Sequence, residues 1–530
     1  MDAVNTEGPR AGRREWLGFG VLMLPLLLVS MDVSVLYFAV PFISRELAPT
    51  STQQLWIFDM YGFVLAGLLL TMGSLGDRIG RRRLLLVGAA AFSAASLLAA
   101  YAGSAEVLIL ARALLGIGGA TLMPSTLGLI RNMFQDDRQR GTAIAIWTAA
   151  MTGGIAIGPV LSGFLLEHFW WGSVFLINIP AMALLLLLGP VLLPEFRTPH
   201  ATGFDLVGSV LSLAAILPMI YGIKELARDG FAPLPAAALL AGAAVGALFL
   251  HRQRTRPEPM IDLTLFRRRA FGASLLVTML ATFALVGFAI FTTQYLQLVL
   301  GMSPLRAALW SLLPTVGVGA AAPLAAVAAR RTNRAYVMAA GFVVAAGGFA
   351  VLTAVRPGSG LWPVMIGASL YAVGLVVVMS LVTDVVLGEA PAERASSVSG
   401  LLESATEFAG ALGMALLGSV GSAVYRLRIG PALPDGLPPV ATGEARETLA
   451  GALTTAARLP GGTGALILTA ARAAFLDGMH AAAVAAGVVM LVAAVLCVVL
   501  LRHAHAVDAA AARPDGPPAD VPTLDRPAAV

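Results

Sequence analysis

Fourteen apolar runs of about twenty residues leave this chain little choice but to fold in a lipid bilayer. They lie at 17–43, 54–75, 84–103, 107–131, 141–166, 173–194, 205–224, 235–251, 271–299, 306–328, 336–355, 362–387, 396–424 and 476–501. A hydrocarbon core roughly 30 Å thick takes about twenty helical residues to cross. Inside it a segment must satisfy its own backbone, so the choice is helices or a closed barrel. The runs lack two-residue alternation, so helices are expected. A composition 58% hydrophobic and only 12% charged rules out a soluble reading.

Arginine placement orients the spans. An even count puts both ends on one side of the membrane. With both termini cytoplasmic, the inner short loops hold twenty-one basic residues, among them Arg10, Arg78, Arg131, Arg252, Arg330 and Arg394. The opposite short loops hold five: Arg45, Lys224, Arg228, Arg306 and Arg356. The net charge of +5 is therefore mostly topogenic, and its spread over seven loops excludes a nucleic-acid surface. The first run is too long for a signal-peptide core and has no clear cleavage site, so it is expected to remain as a helix. The single cysteine, Cys497, excludes an intrachain disulfide and a cysteine metal cluster. The single lysine, Lys224, excludes a phosphate loop of the Walker A type. The six histidines have no ligand spacing, so no metal and no cofactor is expected.

The expected organisation is an all-α membrane protein built as two six-helix pseudo-repeats with an inserted helix pair. A cytoplasmic N-terminus covers 1–15, the first bundle 16–195, the inserted pair with basic linkers 196–269, and the second bundle 270–502. The repeat shows faintly in two loops: Gly76 to Arg83 reads Gly-Asp-Arg-Ile-Gly-Arg-Arg-Arg, and Ala329 to Arg334 keeps the basic cluster without the aspartate. One outer loop, 425–475, is out of scale. Its apolar spacing predicts two short amphipathic helices, near Glu444 and near Ile467 to Phe475, divided at Pro460-Gly461-Gly462 and covering the outer mouth. The tail 503–530, rich in Ala, Pro and Asp, is expected to be disordered and cytoplasmic.

Three constellations exceed what a membrane anchor needs. In the loop from Gly73 to Arg83, Gly73, Gly76 and Gly80 allow close helix approach. Asp77 can pair with an arginine or sit at a helix N-terminus, and Arg78 and Arg81 can anchor to headgroups, so the loop is a candidate conformational switch. In span five, Gly154, Gly158 and Gly163 make a flat face for a partner helix, while Pro159 frees a carbonyl and bends the helix. In span four, Arg112 begins Arg-Ala-Leu-Leu-Gly-Ile-Gly-Gly; a buried arginine needs a cavity and a partner, and Asp32 of span one is the first candidate.

At this order and spacing the motifs resemble the major facilitator superfamily, specifically its fourteen-span drug:proton antiporter branch of the quaternary-ammonium and multidrug exporter type. The resemblance runs over roughly residues 15–505 and includes Met31 to Pro41, similar to the first-helix motif of that group, with Tyr37 where asparagine is usual. It implies export of amphipathic, often cationic or aromatic drugs or natural products, driven by the proton gradient, from a bacterial cytoplasmic membrane. A dedicated exporter of one natural product shares every motif, and a proton-coupled nutrient importer is a more distant alternative. Protons, small molecules and the lipid bilayer are the expected partners, and a monomer the expected state.

Such exchange needs acids inside the spans, where protonation can set the charge. Asp32 is the first candidate for proton coupling, beside Arg112. Glu403 and Glu407, four apart in span thirteen, share one helix face, and two neighbouring carboxylates oppose double ionisation, so a proton is held until a cation replaces it. They serve as candidates for both coupling and substrate binding, and the stretch also resembles the acidic span thirteen of quaternary-ammonium exporters. Asp59, between Trp56 and Tyr61, reads either as a carboxylate where substrate docks or as a wetted boundary residue. Asp384 and Asp477 read as boundary residues. Tyr37, Phe291 and Tyr295, with Phe283, Phe288, Trp310 and Tyr371, could offer aromatic faces to a flat cation.

Overall fold

The computed structural model describes residues 10–197, 205–256, 266, 269–388, 395–434, 437–459 and 461–502. The tail 503–530 and the basic residues Arg267, Arg268 and Arg394 lie outside the described residues.

Among the described residues the fold is entirely helical. The first bundle contains α1 (Arg13–Leu47), α2 (Ser51–Ile79), α3 (Arg81–Ala100), α4 (Ala105–Met133), α5 (Asp137–His168), the single turn α6 (Ser173–Leu176) and α7 (Asn178–Leu192). The inserted pair is α8 (Leu206–Asp229) and α9 (Pro233–Thr255). The second bundle contains α10 (Arg269–Gln294), extended by a π-helical turn at Tyr295–Val299, then α11 (Pro304–Arg331), α12 (Arg334–Thr353), α13 (Trp362–Gly388), α14 (Ala395–Ala432) and α17 (Gly461–Leu501). Between the last two lie α15 (Pro439–Glu447) and α16 (Leu449–Arg458). Among the described residues thirteen helices are long and apolar enough to cross a membrane, and fourteen when α2, bent by 53° between Leu69 and Thr71, is taken as one span. Side chains stop several of them locally. Thr50 accepts from the Gln53 amide, Ser104 from Val107 and Asp136 from Gln139, so orphan amides at the helix starts are satisfied. The α2–α3 joint is one residue, Gly80, at φ +113°, a backbone region open to glycine and strained for other residues.

The repeat is visible in how the bundles meet. α2 packs on α14 and α5 on α11, so the second helix of each half meets the fifth of the other, while α1 touches α10 on the axis between them. Contacts toward the end that carries α15 and α16, the hairpin end, close this seam. A Cβ on Gly163 of α5 would lie 2.7 Å from Leu305 Cα at the start of α11, and one on Gly418 of α14 only 2.5 Å from Leu55 of α2. Across their most apolar stretches α5 and α11 are just 12% and 11% buried, less than any other span. Toward the basic end the residues of both helices are mostly exposed or half-buried.

Two sequence expectations are corrected. The oversized loop is shorter than 425–475, because α14 runs through Arg426 and Arg428 to Ala432 and α17 starts at Gly461. The two short helices exist, but Ile467 to Phe475 belongs to α17, and the second short helix is instead Leu449–Arg458. Lys224 is not a loop residue. α8 continues five residues beyond it to Asp229, and its side chain is fully buried.

α8 wedges against the seam. Phe63 of α2, Ile220 of α8, and Ala411 and Ala415 of α14 form one buried apolar knot. A Cβ on Gly67 would come within 2.6 Å of Leu213, and Thr71 hydrogen-bonds Ser209. At its basic end α8 is capped by Asp205, which accepts from the Gly208 amide at 2.8 Å and pairs with Arg252 and Arg256 at the end of α9. Burial alone would push that carboxyl up, but the hydrogen bonds from Arg252 and Gly208 and the two guanidinium charges hold it below the usual carboxylate range.

Candidate functional site

Helix geometry around Asp32 decides what that carboxylate meets. Ser30 and Ser34 of α1 face α5, where Cβ atoms on Gly154 and Gly158 would collide with their hydroxyls at 2.0 and 2.3 Å. Ser162 of the same α5 stripe donates to the Val35 carbonyl at 2.9 Å. Asp32, two residues from each serine and so about 200° around the helix, faces the opposite way. There it forms an ion pair and hydrogen bond with Arg112 of α4, and both side chains are almost completely buried. Arg112 is held twice more. Its Nε donates to the Ile57 carbonyl of α2 at 3.0 Å, and its guanidinium lies 4.7 Å from the Tyr61 ring centre. Gly116 and Gly119, one and two turns on, let α4 approach Tyr61 closely.

Across the seam α14 brings Glu403 and Glu407, both half-buried. The backbone of Glu407 passes Gly62 of α2 at this seam. The seam thus carries the Asp32–Arg112 pair on one side and Glu403 and Glu407 on the other. In an apolar interior the surplus negative charge must be neutralised by protons or by a bound cation.

Tyr37 lies on the same seam, its hydroxyl donating to the Val286 carbonyl of α10 at 3.2 Å and its ring 5.6 Å from Phe58. Phe291 lines a cavity toward the hairpin end with Gln54, Gly421, Tyr425, Glu447 and Phe475. Tyr295 is elsewhere: its hydroxyl donates to the Gly360 carbonyl at 2.9 Å, tying the π turn to the start of α13. Phe288, Phe349 and Tyr371 pack together inside the second bundle, the last two stacked at 4.9 Å.

Asp59 is not wetted. It is fully buried and forms an ion pair with Lys224 of α8 at 2.6 Å, beneath the Trp56 ring. This partner escapes a sequence reading that ends the seventh span at residue 224. The usable signals were a lone lysine in an arginine-rich chain and a carboxylate at matching depth. Asp477 is half-exposed and 3.3 Å from Arg428. The side chain of Asp384 lies outside the described residues.

The Gly73–Arg83 segment is pinned within its own bundle. Asp77 pairs with Arg81 at 2.5 Å, and Arg81 donates to the Pro124 carbonyl at 2.9 Å. Arg82 donates to the Leu193 carbonyl at 2.9 Å, and its amide to Glu195 at 3.1 Å. Gly80 is boxed in, since a Cβ there would lie 2.4 Å from the Glu195 carboxylate. Gly73 and Gly76 face Pro124 and Leu84, with space of 3.6 and 3.3 Å. Arg78 is exposed. Every partner named here belongs to the first bundle or its C-terminal extension. Pro159 lies inside α5, between the glycines that meet α1 and the one that meets α11.

Comparison with known proteins follows the same lines. The Multidrug efflux pump LfrA of Mycolicibacterium smegmatis is 44% identical over 93% of this chain and 98% of its own length. The Methyl viologen resistance protein SmvA of Salmonella typhimurium is 35% identical over 91% and 97%. The Tetracenomycin C resistance and export protein of Streptomyces glaucescens is 32% identical over 91% and 90%. Among solved structures, a bacterial homologue of the human lysosomal transporter Spinster superposes with a TM-score of 0.61 at 18% identity, covering 93% of this chain and 98% of that one, a likeness of fold. The Major Facilitator Superfamily profile matches residues 22–414. The chain belongs to the major facilitator superfamily and is a multi-pass membrane transporter, not an enzyme.

Proposed function

We propose that the protein exports amphipathic drugs, cations above all, in exchange for protons, by alternating access around the Asp32–Arg112–Glu403–Glu407 cluster. The single observation that carries this reading is that two further acids, Glu403 and Glu407 of α14, lie within a spanning helix across the seam from the buried Asp32–Arg112 pair. Protons and a substrate cation are then alternative ways to neutralise the same acids. With the basic end cytoplasmic, as the arginine count favours, substrate enters from the side where α5 and α11 are least covered. Binding there displaces protons from Glu403 and Glu407. The bundles then rock, breaking the Gly163–Leu305 contact and opening the hairpin end, and protons reload the acids on the return. A potential of about 150 mV contributes roughly 3.5 kcal/mol per charge moved. The names of LfrA and SmvA support substrates of this kind. A monomer in the cytoplasmic membrane suffices, since both halves of the site come from one chain.

The test is proton-driven uptake in inverted vesicles. Ethidium and methyl viologen should accumulate when the lumen is acidified, and collapse of the pH gradient should abolish accumulation. Equal accumulation without a gradient would sink proton exchange. A second reading, a dedicated exporter of one natural product, draws on the tetracenomycin C relative. It predicts no accumulation of either dye together with export of a single polycyclic compound.

A further inference from the structure

The Asp59–Lys224 pair is built unlike a structural salt bridge. Both side chains are fully buried and 2.6 Å apart, and beyond that one contact neither the carboxylate nor the ammonium has a further hydrogen-bond partner among the described residues. A buried ion pair of this kind recovers its desolvation cost only when the remaining valences are satisfied. Around the ammonium are the components that hold an organic cation: a carboxylate, and the Trp56 ring with its centre 4.0 Å from Nζ. The cation already in place is tethered to α8, a helix that belongs to neither six-helix bundle and that packs on both α2 and α14. Beside it is a small cavity at the hairpin end, lined by Ser51, Thr52, Ser419, Ser422 and Arg426, and Lys224 forms part of its wall. The ammonium therefore borders a small space beside Ser419 and Ser422. No part of the exchange cycle described above uses this pair.

We propose that Asp59 and Trp56 form a second cation site that the protein fills with its own Lys224, and that a monovalent aromatic cation competes with this tethered ammonium. The inserted pair then does more than space the halves: α8 carries an intramolecular competitor that sets how readily a single positive charge is accepted beside the seam. A displaced Lys224 turns toward the serine-lined cavity, and a returning Lys224 expels the bound cation. This inference rests on the reading of the protein as an exporter of cations.

Lys224 is the only lysine in the chain, so an amine-reactive ester reports it without background once the α-amino group is separated by peptide mass. Wild-type protein in lipid nanodiscs is treated with the ester with and without saturating ethidium. The expected result is a rise in the Lys224 acylation rate of about five-fold, the signature of roughly 1 kcal/mol of competition. In Asp59→Asn the rate should be high from the start and insensitive to ethidium, whereas a general conformational effect of ethidium would persist there. Lys224→Gln should tighten ethidium binding by a similar factor, and Asp59→Asn/Lys224→Gln should cancel the gain. Vesicles that transport ethidium while its addition leaves Lys224 acylation unchanged would overturn the proposal and leave the transport reading intact. Vesicles that do not transport ethidium would overturn that reading, and this proposal with it. Should Lys224→Gln fail to fold, the acylation of wild type and Asp59→Asn decides alone.

Discussion

Two aspartates on adjacent helices, Asp32 of α1 and Asp59 of α2, are both buried against a basic side chain, yet the two pairs are secured differently. Arg112 is itself held from three directions, by the Asp32 carboxylate, the Ile57 carbonyl and the Tyr61 ring. All these partners lie within the first bundle. Lys224 holds Asp59 by one contact and comes from a helix outside either bundle. A planar guanidinium can satisfy several acceptors at once, whereas an ammonium is a compact charge on a flexible stem. The difference teaches which charge is fixed and which can move. The first pair is a fixed part of the scaffold, and the second is a replaceable occupant.

The largest effect should come from breaking the well-secured pair. Arg112→Ala leaves a buried carboxylate unpaired at a cost of about 3–5 kcal/mol. Transport in vesicles should fall to background, and the melting temperature of the purified protein should drop clearly. Arg112→Lys should rescue stability in part, because the charge returns but the bond to Ile57 and the Tyr61 stacking do not. If Arg112→Ala and Lys224→Ala were equally damaging, the distinction between the pairs would be lost.

Next in size is removal of the acids that have no fixed partner among the described residues. Glu403→Gln/Glu407→Gln should lower methyl viologen transport by at least about ten-fold, since two charges then lose about 1.4 kcal/mol or more of attraction in a low-dielectric site. Ethidium transport should fall less, by about two- to three-fold on the same scale, because one positive charge needs only one acid. Equal loss for both dyes would deny these glutamates any role in counting substrate charge.

A smaller effect should follow at the seam. Gly163→Ala places a methyl against the backbone of Leu305 and Pro304, between the bundles, while Gly413→Ala collides with the Phe283 carbonyl inside the second bundle at 2.0 Å. Both are overpacking changes of about 1–3 kcal/mol, but the outcomes differ. Gly163→Ala should shift spin-label distances at the hairpin end toward longer values with little change in melting temperature, and Gly413→Ala should lower that temperature without changing the distances.

The smallest effect belongs to Asp205. Its carboxyl sits below the ordinary value of 3.8, so its contribution to the α8–α9 anchor is complete above that value and is lost only as pH falls through the still lower folded one. Asp205→Asn should therefore lower thermal stability to the same modest extent from pH 8 to pH 5, and the difference from wild type should shrink only in stronger acid.

Much of this architecture was legible in the sequence because a bilayer enforces it. Each span must be apolar for about twenty residues, and any charge inside one stands out. Arg112, Asp32, Glu403 and Glu407 were visible for that reason, and the Gly154–Gly163 stripe because close helix contact needs small residues. Lys224 was hidden by its position near the end of an apolar run, followed by Glu225 and Arg228, where hydropathy cannot separate the last turn of a helix from the loop after it. The same ambiguity extended the outer loop, since Arg426 and Arg428 look like the end of a span although α14 continues past them to Ala432. Tyr295 could not be told from Phe291 by sequence, because the hydroxyl's partner, Gly360, lies in a loop far along the chain.

The central claim is that protons and substrate charge are alternatives on the same acids. It is tested most directly by counting protons released when methyl viologen binds purified protein, using weakly buffered solution and a pH-indicator dye. The account predicts net release on binding to the wild type and none on binding to Glu403→Gln/Glu407→Gln. Binding to the wild type without release, or equal release from both proteins, would contradict it.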